Sequence, residues 1–393
     1  MPVTKARLRV LLISAHYPTA ISLLWGLYWG DCVSIAAGDV SRTSDLKYFP
    51  LCRRFYPIAA SSIQALDPDV IEQLRVIVRS NPVDILMPGC FDTVQYYAKE
   101  IDFVPVIPLP SLSTIRNLHD KYKFHLFCRT HSIRTPKTML VREGSSLGEA
   151  NLSLSFPVLV KPLELSGGAG IYRFDDFQSL NAHLGQEHRE RSGEFPLLLQ
   201  EYIPGTDIDF NGFALDGRLC AWTIQRWIQV EGTNGEFFSW LQFVQDPEIL
   251  EIGAGIAKAT SYSGPFHVDL RIDERNGNIL ALETNPRFWG SVLASMNEGV
   301  NFAEVSVRTA FDPGYRQEPR LSCSIWGNPV QALLLAFKKK GPESRYIASR
   351  HSWFQMNHML MERSSRLISM GRKKLERFDR ITGKVPLRRS NDS

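Results

Sequence analysis

Gly264-Pro-Phe-His-Val-Asp269-Leu-Arg271, the turn Asp273-Glu-Arg-Asn-Gly-Asn278, and Ile279-Leu-Ala-Leu-Glu283-Thr-Asn285-Pro-Arg287 form the stretch on which the reading of this chain turns. Turn-forming residues between two alternating runs predict a β-hairpin. A period of two puts residues 267, 269 and 271 on one face of the first strand, with 268 and 270 on the other. It also puts Glu283 and Asn285 on one face of the second strand, and pairing across the turn brings Asp269 opposite them. Two carboxylates and an amide oxygen make a hard oxygen set of the kind that takes Mg²⁺ held on nucleotide phosphates. Arg287 follows at the strand's end beside Phe288-Trp289-Gly290, a setting unlike an ordinary solvated strand face. Arg271 is a candidate phosphate or substrate group, and an ion pair with Asp273 or Glu274 is its structural alternative.

Upstream, Phe156-Pro-Val-Leu-Val-Lys161-Pro reads as a buried strand ending in a lysine, followed by Glu164-Leu-Ser166-Gly167-Gly168-Ala169-Gly170. Glycines let backbone N–H groups approach a phosphate chain, and a nearby lysine adds point charge. Glycine-rich turns are common, so this loop alone leaves a plain hairpin open. Strands are expected near 197–202, 209–215 and 221–227, with a helix over 247–260, and 112–132 reads as two helices flanking Asp120-Lys121. Residues 8–110 alternate short apolar runs with helical segments, which predicts a parallel sheet covered on both faces. The turn after the first strand, 14–20, has no glycine, so a dinucleotide fingerprint is missing where it would have to be. His16 in that turn is read as structural.

With 393 residues and 44% hydrophobic composition, the chain can bury several cores and suits two or three domains around a cleft. A net charge of +4 is too small to argue for nucleic acid. The charge is uneven: 15 basic and 5 acidic side chains from Lys338 onward give +10, leaving −6 for residues 1–337. Apolar and basic residues mix at helical spacing over 346–378, which predicts amphipathic helices. Six cysteines without a Cys-x-x-Cys pair suggest free thiols in a reducing compartment. The N-terminus lacks the pattern of a secretory signal, so no export is expected.

Lys121, Val158-Leu-Val-Lys161-Pro, the 166–170 loop, Leu199-Gln-Glu-Tyr-Ile203-Pro-Gly, Asp269 and Glu283-Thr-Asn285-Pro-Arg287, taken in this order and spacing, resemble the ATP-grasp superfamily over residues 8–310, in particular its carboxylate–amine ligases. The resemblance implies an α/β and α+β architecture. An N-terminal parallel-sheet pre-ATP-grasp domain (1–110) would precede a two-lobed ATP-grasp fold, its small lobe at 111–196 and its large lobe at 197–315. A basic, helical extension (316–393) would follow. It implies ATP with Mg²⁺, or Mn²⁺, as cofactors. Lys121 and Lys161 would contact phosphates under a lid carrying Ser166, Gly167 and Gly168. Gln200, Glu201, Tyr202 and Ile203 would form the adenine hinge, with Glu201 and Ile203 offering backbone groups, and Asp207 would bind ribose. Arg226 would be a further triphosphate contact. Asp269, Glu283 and Asn285 would hold metal, with Glu283 bridging two ions, and Arg287 would steady the transferred phosphoryl group.

The implied reaction joins a small-molecule carboxylate to an amine through an acyl phosphate, releasing ADP and phosphate, in the cytoplasm. Lys161, Arg271 and Arg287 would be its catalytic cations, and the loop 231–235 would help to exclude water. A homo-oligomer and weak anionic-membrane contact through the basic C-terminus are further expectations. The alternatives are an ATP-grasp enzyme with a non-amine acceptor, a non-catalytic nucleotide-binding protein, and a membrane-surface protein that works through its tail.

Overall fold

The computed structural model describes residues 7–13, 19–32, 35–39, 51–58, 68–89, 101–142, 152–163, 170–190, 196–228, 240–321 and 325–326. They fall into two compact units, one up to Ile107 and one from Pro108 to Trp326. His16, the Ser166, Gly167 and Gly168 loop, residues 231–235 and the basic segment from Lys338 lie outside the described residues.

The first unit runs β1 (Val10–Ile13), α1 (Thr19–Trp29), β2 (Ile35–Asp39), β3 (Arg54–Pro57), α2 (Pro68–Ser80) and β4 (Ile85–Pro88). Its sheet has the order β3-β2-β1-β4 with every pair parallel, as the alternation of runs predicts. All four β1 side chains are buried, the pattern of a strand covered on both faces. Val70, Leu74 and Ile77 bring one stripe of α2 onto this core at helical spacing. The Arg9 guanidinium donates twice to Asp84, at 2.9 and 2.6 Å, and ties β1 to the start of β4. Strand β3 is an element that the apolar periodicity did not foreshadow.

The second unit opens with α3 (Leu112–His119) and α4 (Lys121–Thr130). Next come β5 (Thr138–Val141), β6 (Val158–Pro162), β7 (Tyr172–Phe174), α5 (Phe177–Glu190) and β8 (Leu197–Glu201). The chain continues through β9 (Gly205–Leu215), β10 (Arg218–Ile228), β11 (Trp240–Val244), α6 (Pro247–Ala259), β12 (Gly264–Asp273) and β13 (Ile279–Asn285). A 3₁₀ helix (Val292–Glu298), α7 (Phe302–Thr309) and β14 (Ile325–Trp326) complete it. Two sheets result, one ordered β5-β8-β6-β7 and one ordered β13-β12-β9-β10-β11-β14.

Two expected boundaries move. Strand β8 pairs with β5 and β6, so the small sheet ends after Glu201 rather than at 196. β8 has ladder partners on both sides and buried side chains at 197–200, so it is the interior of that sheet. At the other end, β14 pairs with β11, and Gln317 bridges to Ala221. Residues 316–326 therefore include part of the large sheet's edge and do not all belong to a separate extension.

The six-stranded sheet has one oily face. Ile208, Phe210, Ile224, Val268 and Leu270 pack with Phe124 and Cys128 of α4 and with Ile249 and Ile256 of α6. Burying a ring such as Phe210 contributes about 2–3 kcal/mol. Gly253 of α6 sits directly over it, since a Cβ there would stand 2.3 Å from the Phe210 ring. That close approach lets helix and sheet pack in contact. Among the described residues no helix is long and apolar enough to cross a membrane.

Candidate active site

The other face of the large sheet carries polar side chains in register. Strand pairing places Glu283 beside Asp269, Asp269 beside Asp209, and Asp209 beside Gln225. The neighbouring rung runs Asn285, His267, Asn211 and Thr223. Two four-residue polar rungs thus cross β13, β12, β9 and β10; between them Val268, Phe210 and Ile224 turn to the helix side, with Thr284 in the same place on β13. The predicted hairpin, the face assignment and the Asp269–Glu283 pairing all stand. A register irregularity after Asp269 in its pairing with β13 leaves these rungs aligned.

Asp269 Oδ2 accepts from Asn285 Nδ2 at 2.9 Å, and Glu283 Oε1 lies 3.4 Å from the same nitrogen. Asn285 Oδ1 accepts from Arg287 Nη2 at 2.9 Å, and Arg287 Nη1 donates to the Phe288 carbonyl. The amide thus presents nitrogen, where the expected ligand set presents oxygen. Two adjacent carboxylates need a donor between them, and the amide supplies it; rotation by half a turn would offer its oxygen.

Lys121 reaches this group from α4. Asp120 caps that helix by accepting from the Tyr122 and Lys123 amides, both at 2.9 Å, the ordinary use of an aspartate at a helix start. The Lys121 amide donates to the Leu163 carbonyl at 3.2 Å. So fixed, the buried Lys121 side chain places Nζ 3.1 Å from Glu283 Oε2. Lys161, near the end of β6, is also buried and donates to Gln200 Oε1 at 2.8 Å; Gln200 Nε2 in turn donates to Thr138. Gln200 is thus a support for Lys161. Burial pulls the Lys161 pKa down to about 8 despite attraction from Glu283, and Lys121 pushes it in the same direction as burial.

His267 links the rungs. Its Nδ1 lies 2.7 Å from Asn211 Oδ1 and its Nε2 3.1 Å from Asp269 Oδ1. Burial opposes charge on this ring, yet Asp269 and Asp209 lift its pKa above the usual value. For Asp269 burial acts upward, but His267 overrides it and the carboxyl falls below its usual range. Asp209 is raised, chiefly by burial, and accepts from Gln225 at 3.1 Å. Ligand atoms of Asp209, His267 and Asp269 lie within 4.8 Å of one another, so this trio could also hold a cation. The sequence reading missed Asp209, Asn211 and Gln225, although the alternation Asp207-Ile-Asp209-Phe-Asn211 carries the signal.

At the hinge, the Glu201 amide donates to the Lys137 carbonyl and the Tyr202 amide to the Pro157 carbonyl, while the Glu201 side chain pairs with Lys137 at 3.5 Å. Arg271 pairs with Asp207 and donates to the Ile203 carbonyl. Its expected partners are occupied differently, since Asp273 is held by Arg275. Arg271 is thus a hinge group that shares Asp207. Arg226 does not join the set. Its guanidinium donates twice to Gln242 Oε1, at 2.9 and 2.6 Å. It also pairs with Ile208 while its neighbour Gln225 pairs with Asp209, so alternation puts it on the opposite face.

Residues 194–325 match the family model described as "ATP-grasp in the biosynthetic pathway with Ter operon". The arginine-specific carbamoyl phosphate synthase large chain of Bacillus subtilis is 25% identical over 183 residues, covering 45% of this chain and 17% of that one. The D-aspartate ligase of Enterococcus faecium is 21% identical over 262 residues, covering 60% of this chain and 62% of the ligase. The L-amino acid ligase from Bacillus licheniformis superposes with a TM-score of 0.58 at 18% identity, over 78% of this chain and 75% of that one. This chain carries an ATP-grasp domain. It spans less than a fifth of the length of the first curated relatives it matches.

Proposed function

We propose that this chain binds ATP with Mg²⁺, or Mn²⁺, and uses it to join a small-molecule carboxylate to an amine, through an acyl phosphate, with release of ADP and phosphate. The observation that carries this reading is the convergence of Lys121 and Lys161 on Glu283, Asp269 and Asn285, with Arg287 bonded to Asn285. The D-aspartate ligase and the L-amino acid ligase named above support the reaction class.

The residues suit the group. Lys161 is buried against a neutral amide, so an anionic oxygen at its Nζ would relieve the desolvation that depresses its pKa. Asp269, Glu283 and a rotated Asn285 would hold the cation, which supplies charge neutralisation at the β,γ end of the nucleotide. Lys121 shares Glu283 and holds it toward that end. Arg287 can exchange Asn285 Oδ1 for an oxygen of the transferred group, which adds positive charge where negative charge gathers. At the hinge the Glu201 and Tyr202 amides are already donating, so the Glu201 carbonyl and the Ile203 amide are the backbone groups assigned to adenine. Asp207, held by Arg271, would meet ribose.

The reading is tested by incubating the protein with ATP, Mg²⁺ and pools of ¹⁸O-labelled carboxylates with amines. ADP together with label in free phosphate is the expected result. AMP as product, or unlabelled phosphate beside a formed amide, would overturn it.

A further inference from the structure

We propose that His267 is a positioning residue that aims Asp269 at the cation, with Asn211 as the fixed point it works from. The inference rests on the cation–nucleotide reading above. Asn211 is fully buried on β9, and its Nδ2 donates to Thr223 Oγ1 at 3.2 Å, which lies 3.0 Å from Ser295 Oγ. The Asn211 amide engages His267 Nδ1 at 2.7 Å, accepting from it or donating to it according to which way the amide is turned. The opposite ring nitrogen lies 3.1 Å from Asp269 Oδ1 and donates there. The ring plane is set by Trp289, stacked on it at 5.8 Å between centroids and 17° between planes.

Asp269 is therefore divided between two tasks. Oδ1 is tied back to His267 and Oδ2 is turned to Asn285 and Glu283. A carboxylate with one oxygen restrained presents the other in a single direction, which is what partners of metal ligands generally provide. His267 reaches no nucleotide or substrate in this scheme and acts through Asp269 alone.

The two ring nitrogens can be replaced separately. In His267→Gln the amide nitrogen stands near the Nε2 position and still donates to Asp269; in His267→Asn it stands near Nδ1 and keeps only the bond to Asn211. ADP binding to the full chain is measured by calorimetry across a Mg²⁺ titration, with the melting temperature and Mg²⁺-free ADP affinity of each variant as controls. His267→Asn should raise the Mg²⁺ concentration for half-saturation about tenfold, the low end for loss of such a partner, and His267→Gln should stay within about twofold of wild type. Mg²⁺-free ADP affinity should be unchanged in both. His267→Asn behaving as wild type would overturn the inference. Equal weakening in both variants would also overturn it and would point to direct ligation by the imidazole. If wild type itself shows no Mg²⁺-dependent ADP binding, the functional reading fails first, and separately.

Discussion

On the sheet β5-β8-β6-β7, Lys161 is buried with the neutral Gln200 side chain as its hydrogen-bond acceptor. On the six-stranded sheet, Asp209, Asp269 and Glu283 each receive a donor, from Gln225, from His267 and Asn285, and from Lys121. The cationic side is left short of compensation and its pKa is depressed. The anionic side is compensated from within, and Asp269 stays ionised. An incoming anion is thus rewarded at Lys161 at once, whereas a cation at Glu283 and Asp269 must first displace donors. The contrast predicts that nucleotide binds measurably without Mg²⁺ and that Mg²⁺ then tightens it.

The largest expected effect breaks the anionic side. On the proposed reading, Glu283→Gln should lower turnover at least about 10³-fold, because the carboxylate assigned to the cation, which also bears on Lys121, is lost. Glu283→Ala should in addition cost about 3 kcal/mol of stability, since the buried Lys121 loses its ion pair with Glu283. Steady-state kinetics and thermal melts of the two variants separate these effects, and equal melting temperatures would remove the ion pair from the argument.

Lys161→Met tests the other side. Its folded pKa of about 8 lies below the reference value of 10.5, so the unfolded chain binds the extra proton between those values. The charge therefore opposes folding at pH 7, and its penalty fades as pH rises through that window. The variant should be more stable than wild type at pH 7 by roughly 2 kcal/mol, with the gap closing by pH 10, while ATP affinity falls about tenfold or more. Chemical denaturation across pH reads the first outcome and calorimetric titration the second. A gap that does not depend on pH would sink the assignment.

A subtler consequence is proton uptake. At pH 8.5 nucleotide binding should take up to about three-quarters of a proton, because the bound phosphate restores the Lys161 charge. Binding enthalpies in buffers of differing ionisation heat measure this, and Lys161→Arg should abolish it. The smallest effect is expected for Arg226→Ala, which should change nucleotide affinity less than about twofold and stability by about 0.5 kcal/mol. A larger loss of affinity would return Arg226 to the site.

The hairpin and the faces of its first strand were legible because alternation over 264–273 buries Val268 and Leu270; the register shift that puts Ala281 in the core and Glu283 on the polar face was not. Lys161 was legible as the lysine before a glycine-rich loop, but Lys121 only through resemblance, since nothing local says that a lysine at a helix start meets a glutamate 162 residues on. Arg226 was misplaced because polar and apolar residues of its strand share both parities, so the sequence does not say which face is the polar one; pairing with Ile208 decides it. The partner of Arg271 was hidden for a related reason. Asp273 and Glu274 are near in sequence, but strand pairing brings Asp207 alongside. The point where the small lobe ends in sequence was unreadable because β8, an interior strand of its sheet, is as apolar as any strand of the large one.

Phe210 lies in sequence between Asp209 and Asn211, with its ring on the helix side beneath Gly253. The polar rungs are thus gauged from behind. Any side chain added at residue 253 would lift α6 or press Phe210, and the strand would carry that displacement into the spacing of Asp209 and Asn211 one residue to either side. Under the proposed cation-binding reading, the response to metal can therefore be tuned from a buried contact that touches no ligand, by adjusting volume on the helix side of the sheet.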